Sequence, residues 1–264
     1  MKVAIIGTGN LGLAIGKGIL DSKGASSMYL TKRNLEDIKE YASYDNVVLT
    51  SDNREAVKNS DVLIFAIQPR HLEAILEDVK DLLTANHIII SVITGFSISR
   101  IESIVGSDKN IIRSMPNTAI AVGKSMTCMC SNDIGKSKIA IAQSIFDKVG
   151  ASMVIPEEQM QAATVICASG IAFWMRLIRA TTQGAIQLGF EAKEAQELAK
   201  HTCNGAAGLL LASGNHPEEE IDRVTTPGGC TIEGLNEMEH QGLSSSLIQG
   251  IVASFEKINQ IKKG

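Results

Sequence analysis

"KVAIIGTGNLGLAIGKGIL", residues 2–20, carries two patterns in succession. Lys2–Ile6 is a β-branched run, and Leu11–Leu20 has helical spacing of its apolar residues. Between them Gly7, Gly9 and Gly12 fit G-x-G-x-x-G. At a strand-to-helix junction the first glycine permits a tight turn and the second lets a pyrophosphate approach the backbone. The third allows helix and strand to pack closely. The helix N-terminus then offers amide donors and a favourable dipole to phosphate. A glycine-rich turn that binds nothing is the plain alternative.

Working outward, the same alternation continues. Strands are expected at Met28–Thr31, Val47–Thr50, Val62–Ile67, His87–Ile93, Ile111–Ser114, Met126–Cys130 and Ser152–Ile155. Helical patterns fall at Leu35–Ala42 and Leu72–Leu83. Alternating strands and helices predict a mostly parallel, doubly wound Rossmann sheet over residues 1–156. After Pro156 the strand signals stop, and Glu158–Leu188, Ala192–Ala212 and Ser244–Ile261 read as long helices. Several are apolar on more than one face and therefore need cover. Residues 157–264 are thus expected to form an all-helical dimerisation domain covered by a second copy of the chain. The alternative is that these helices pack beneath the first domain.

The most apolar stretch, Ala162–Met175, is broken by Thr164 and Ser169 and closed by Arg176. It is shorter than a bilayer requires and is expected to be a buried helix. Hydrophobic content of 44% with 20% charged residues is that of a water-soluble globular chain. A net charge of -4 supplies no basic footprint for nucleic acid or anionic lipid. Met1 runs straight into a strand, so no signal peptide is expected. Five cysteines without a C-x-x-C pair point to a reduced, cytoplasmic chain. The histidines are scattered, and no metal is expected.

The second strand ends in Thr31–Lys32–Arg33–Asn34, where an acid usually binds the ribose diol of NAD. A hydroxyl and two cations suit a 2′-phosphate better, so NADPH is favoured, with NADH possible. Glu36 and Asp37 are near enough in sequence to reach the same place, and a solvated basic turn is the plain alternative. Ala66–Ile67–Gln68 ends the fourth strand, at the edge where open α/β sheets hold ligands. Ser91–Phe96 ends the fifth in the same layer, and Pro116–Asn117–Thr118 forms a rigid polar turn near the expected nicotinamide.

Two further runs are more specific. "MPNT" (115–118) is followed about 110 residues later by "TTPGGCT" (225–231) at a helix start. With G-x-G-N-L-G (7–12) and A-I-Q-P (66–69), the chain resembles the Δ1-pyrroline-5-carboxylate reductase family over nearly its whole length. The resemblance implies a Rossmann domain, a helical domain interlocked with its twin, and NADPH-dependent reduction of a cyclic imine to L-proline. The implied cofactor-binding set is Gly7, Gly9, Asn10, Leu11, Gly12, Thr31, Lys32, Arg33, Asn53, Ala66, Ile67, Gln68, Pro69, Met115, Pro116 and Asn117. The implied substrate-binding set is Thr226, Gly228, Gly229, Cys230 and Thr231. Backbone amides near Gly229, Cys230 and Thr231 would hold the substrate carboxylate. The Thr231 hydroxyl would meet the ring nitrogen, and as an ordinary N-cap it would serve structure alone.

This chain departs from the family at three places. Gln68 stands where lysine is common. Ala168–Phe173 reads A-S-G-I-A-F where S-G-[SG]-P-A-Y is frequent, and Cys230 replaces alanine or threonine. A β-hydroxyacid dehydrogenase shares the layout, but Ala163–Arg179 has no lysine of the kind such enzymes use. A non-catalytic NADP-binding regulator is the remaining alternative.

Overall fold

A computed structural model describes residues 1–261. It divides into two compact units, Met1–Ala168 and Ser169–Ile261.

The first unit is built on one eight-stranded sheet in the order β3-β2-β1-β4-β5-β6-β7-β8. The strands are β1 (Lys2–Ile6), β2 (Ser27–Thr31), β3 (Val47–Thr50), β4 (Val62–Phe65), β5 (Ile88–Ser91), β6 (Asn110–Met115), β7 (Ser125–Ser131) and β8 (Gly150–Val154). β1 to β6 run parallel, β7 is antiparallel to β6, and β8 is parallel to β7. This is the expected doubly wound sheet.

Successive residues of β1 face opposite layers. Val3 and Ile5 join the core beneath α1 (Asn10–Asp21) and α5 (Ile139–Phe146). Ala4 and Ile6 join the core beneath α2 (Asn53–Lys58), α3 (Pro69–Val79) and α4 (Ile98–Val105). Both layers exclude water from β-branched side chains, each worth about 1.5–3 kcal/mol when fully buried. That is why the parallel strands are continuous apolar runs rather than alternating ones.

Three short helices, α2, α4 and α5, lie where no helix is expected from the sequence. Leu35–Ser43 is helical as expected, but with the tighter 3-10 winding. Asn34 caps it by accepting the Glu36 amide.

The first compact unit runs on to Ala168, beyond residue 156 where the strand signals stop. Met160 and Val165 are buried, with Met160 in the α2–α4 core layer, so the first turns of the long helix belong to the sheet unit. Glu157 anchors them, its Oε1 accepting from the Ile98 amide at 2.8 Å and the buried Arg113 guanidinium at 3.2 Å.

Ala162–Met175 is also corrected. The helical stretch Glu157–Gln187 is 31 residues long, and by length and composition alone it could cross a membrane. As expected of Glu158–Leu188, it continues to Gln187, passing through a π-helical segment, Thr164–Ser169. Only 17% of its most apolar window is buried, and Ile166, Trp174 and Met175 are 53%, 59% and 63% exposed.

In the second unit this helix continues as α7 (Gly170–Gln187), once α6 (Met160–Ala163) and the π segment have been counted. α7 packs on α8 (Ala192–Ser213). α9 (Pro217–Val224), also unexpected, leads to α10 (Cys230–His240) and α11 (Leu243–Ile261), which pack on each other. Leu188, Leu209 and Leu211 are 83%, 58% and 88% exposed. The unit presents apolar surface that its own helices leave uncovered.

Candidate active site

The strand order reverses at β1, between β2 and β4, and a cleft of about 560 Å³ opens at the carboxyl ends of these strands. The three glycines behave as their spacing predicts, each for a separate reason. Gly7 has φ +95°, and a Cβ there would sit 2.3 Å from Ile67 Cγ2. Gly12 is closed against the loop, since a Cβ would lie 2.2 Å from the Gly7 carbonyl oxygen. At Gly9 no atom lies within 4 Å of the added Cβ position. An open, Cβ-free backbone at a helix start is the space a pyrophosphate needs.

Thr31 has a structural task beside the one expected of a 2′-phosphate ligand. Its buried hydroxyl accepts the Gly7 amide at 3.1 Å, and its carbonyl accepts both the amide and the hydroxyl of Thr8. It therefore holds the glycine loop in shape. Lys32 Nζ pairs with Asp37 Oδ2 at 3.2 Å, and Asn34 Nδ2 donates to Asp37 Oδ1 at 2.9 Å. Arg33 is exposed and joins no ion pair among the described residues. The acid that could reach round is thus Asp37, already neutralised by Lys32, while Glu36 pairs with Lys39 instead.

Nine of the candidate residues line the cleft: Gly7, Gly9, Thr31, Lys32, Arg33, Asn53, Ala66, Ile67 and Gln68. Asn10, Leu11, Gly12 and Pro69 do not line it, though they shape the two helix starts that border it. Met115, Pro116 and Asn117 do not line it either, because all three are buried. Asn117 is engaged inside the fold. Its Oδ1 accepts the Ala119 amide at 3.0 Å, its Nδ2 donates to the Cys167 carbonyl at 2.9 Å, and its own amide donates to Ser125 Oγ.

Thr8, Ser51, His71, Ala74 and Ile75 line the cleft without having been foreseen. His71 is three residues beyond Gln68 on α3, one helical turn along the same face, and that spacing was the available signal.

The second cluster lies on the helical unit. Gly228 has φ +68°, and Gly229 donates its amide to the Thr226 carbonyl at 2.9 Å, closing a turn. A Cβ on Gly229 would meet Thr226 Oγ1 at 2.3 Å. Gly229 is also the N-cap of α10, with no side-chain cap. Two expectations change accordingly. The Gly229 amide is spent within the loop, and Thr231 is not an N-cap. The first helical amide bonded back along α10 is that of Glu233, to Gly229. The amides of Cys230, Thr231 and Ile232 are therefore the unpaired donors at this helix mouth.

Residues 157–261 match the family model described as pyrroline-5-carboxylate reductase dimerisation. Residues 2–95 match the one described as NADP oxidoreductase coenzyme F420-dependent. Pyrroline-5-carboxylate reductase 2 of Dictyostelium discoideum is 42% identical, over 97% of this chain and 91% of the relative.

The chain belongs to the pyrroline-5-carboxylate reductase family. Pyrroline-5-carboxylate reductase 1 of the same organism is 45% identical over 97% of this chain, which spans about half (49%) of that relative. The solved pyrroline-5-carboxylate reductase of Coxiella burnetii superposes with a TM-score of 0.93. It is 27% identical and covers 98% of this chain and 97% of its own. Membership sets aside the β-hydroxyacid dehydrogenase reading.

Proposed function

We infer that this protein is a pyrroline-5-carboxylate reductase. It transfers a hydride from NADPH to the C=N carbon of L-1-pyrroline-5-carboxylate and gives L-proline. The observation that carries this reading is the pairing, in one chain, of a dinucleotide cradle around Gly9 with a helix mouth of three unpaired amides at Cys230–Ile232.

NADPH, when bound, supplies the hydride, and the rest of the work is positioning. Gly7, Gly9 and the start of α1 receive the pyrophosphate. Arg33 meets the 2′-phosphate, with Lys32 available once drawn from Asp37. On the second unit the amides of Cys230, Thr231 and Ile232 hold the substrate carboxylate, and the loop Thr226–Gly229 closes its side. The Thr231 hydroxyl is exposed and has no hydrogen-bond partner among the described residues, so it is free to orient the ring nitrogen. Orienting two reactants in this way can remove roughly 7–11 kcal/mol from a barrier in favourable cases.

The uncovered apolar helices of residues 157–261 are the surface through which two copies pair. Arg176 and Arg179 lie within the helical stretch Glu157–Gln187, which favours protein over lipid as its cover. A cytoplasmic location fits five cysteines without a C-x-x-C pair.

The test is direct. Purified protein given NADPH and pyrroline-5-carboxylate should consume the cofactor and form proline in equal amounts. Cofactor binding without consumption would leave the chain a non-catalytic NADP-binding regulator.

Cofactor choice is tested separately. Replacing Lys32 and Arg33 together with alanine is expected to raise the KM for NADPH roughly 10-fold or more, from the loss of charge-assisted hydrogen bonds. The KM for NADH should change little. Equal changes for the two cofactors would remove these cations from the 2′-phosphate site.

A further inference from the structure

Three sulfurs lie in the core layer beneath α2–α4: Cys128 and Cys130 on β7, and Cys167 on the π-helical segment Thr164–Ser169. Two of them face each other, with Cys128 Sγ and Cys167 Sγ 3.9 Å apart. A hydrogen bond also ties the π segment to the turn after β6. Asn117, which follows Met115 and Pro116, donates its side-chain amide to the Cys167 carbonyl. Cys128 is the cross-strand neighbour of Met115. The thiol pair therefore lies directly behind the turn that ends β6.

The geometry points to a reversible modification site, a disulfide between Cys128 and Cys167 formed by hydrogen peroxide, which disables turnover by drawing the π segment toward β7. The sulfurs must close from 3.9 Å to about 2.05 Å, the length of the covalent bond. A π-helical turn is already wider than an α-helical one and can yield locally.

The chemistry divides between the two thiols. Cys167 is half-buried where Cys128 is buried, and the hydrogen bond between the two thiols lowers its pKa, so Cys167 is the nucleophile. The same hydrogen bond and its burial push Cys128 up, which keeps its proton until it is needed. Cys130 takes no part, because burial pushes its thiol up to about 12.

In the first step the Cys167 thiolate attacks one peroxide oxygen. The O–O bond breaks, leaving a sulfenic acid and hydroxide, which takes a proton to become water. In the second step the Cys128 sulfur attacks Cys167 Sγ. The S–O bond breaks, and the leaving hydroxide departs as water with the Cys128 proton. Two thiols lose two electrons, and one peroxide becomes two waters.

The experiment treats the full-length protein with hydrogen peroxide, blocks remaining thiols with N-ethylmaleimide, and maps unreduced peptides by mass spectrometry. A linked Cys128–Cys167 peptide, lighter by two hydrogens and released by dithiothreitol, is expected. Loss of activity should track the linked fraction and return with dithiothreitol. Cys128→Ser and, as a second variant, Cys167→Ser should form no linked peptide. Both should stay active at a dose that silences the wild type.

Cys128 fully blocked by N-ethylmaleimide in inactivated protein would overturn the proposal. So would complete linkage with unchanged turnover, or equal inactivation of Cys128→Ser, which would assign the loss to another thiol such as Cys230. Only the activity arm rests on the proposed function. If untreated protein shows no turnover, that reading fails, while the peptide map still decides whether the disulfide forms.

Discussion

Thr231→Val is expected to lower kcat/KM for the imine roughly 10- to 150-fold, the equivalent of about 1.5–3 kcal/mol for a hydrogen bond to a charged partner. Valine keeps the β-branched shape and loses only the hydroxyl. Thr231 is the second residue of α10, behind a Gly229 N-cap, and its side chain caps nothing. Stability should therefore stay within about 0.5 kcal/mol of wild type, as for an ordinary surface change. NADPH affinity should also be unchanged. Steady-state kinetics beside thermal unfolding check this, and a stable variant with wild-type kcat/KM would remove Thr231 from the reaction.

Gly9→Ala and Gly12→Ala should separate two kinds of loss in the cofactor cradle. Gly9 has φ -78° and ψ -168°, a conformation alanine adopts freely, and its Cβ would meet no protein atom within 4 Å. The variant should fold normally and bind NADPH poorly, because the methyl group fills the space reserved for the pyrophosphate. Gly12→Ala instead drives a methyl group to 2.2 Å from the Gly7 carbonyl oxygen. Overpacking of that kind costs about 1–3 kcal/mol of stability. It also shifts α1 away from the loop, and a displacement near 1 Å can cost about 100-fold in rate. Cofactor titration and thermal melts on both proteins check the contrast. Equal destabilisation of the two would mean that Gly9 packs against protein rather than facing a ligand.

The sheet was legible because its signals are local. Each strand is a short apolar run bounded by turn residues, and the glycine trio depends on spacing alone. The short helices α2, α4 and α5 escaped because few turns give too little periodicity to read. The long helix was legible over its whole length, as Glu158–Leu188, but nothing local tells whether its apolar face is covered.

The site was legible as a set of segments but not as a set of atoms. Asn117 reads as a polar ligand residue until its partners are known, and one of them, the Cys167 carbonyl, is 50 residues away. Gly229 was assigned to a ligand for the same reason, and its amide is taken by Thr226. Only tertiary contacts, or a turn conformation, reveal that a donor or acceptor is already spent.

In the proposed reaction a hydride passes from the nicotinamide to the imine carbon. The most direct measurement uses NADPH carrying deuterium at the transferred position of C4, with pyrroline-5-carboxylate as substrate and mass spectrometric and NMR analysis of the product. L-proline with one deuterium is expected, on the ring carbon formerly double-bonded to nitrogen, in amounts equal to the NADP⁺ formed. Proline without deuterium at that carbon, or NADPH consumed without proline, would contradict it.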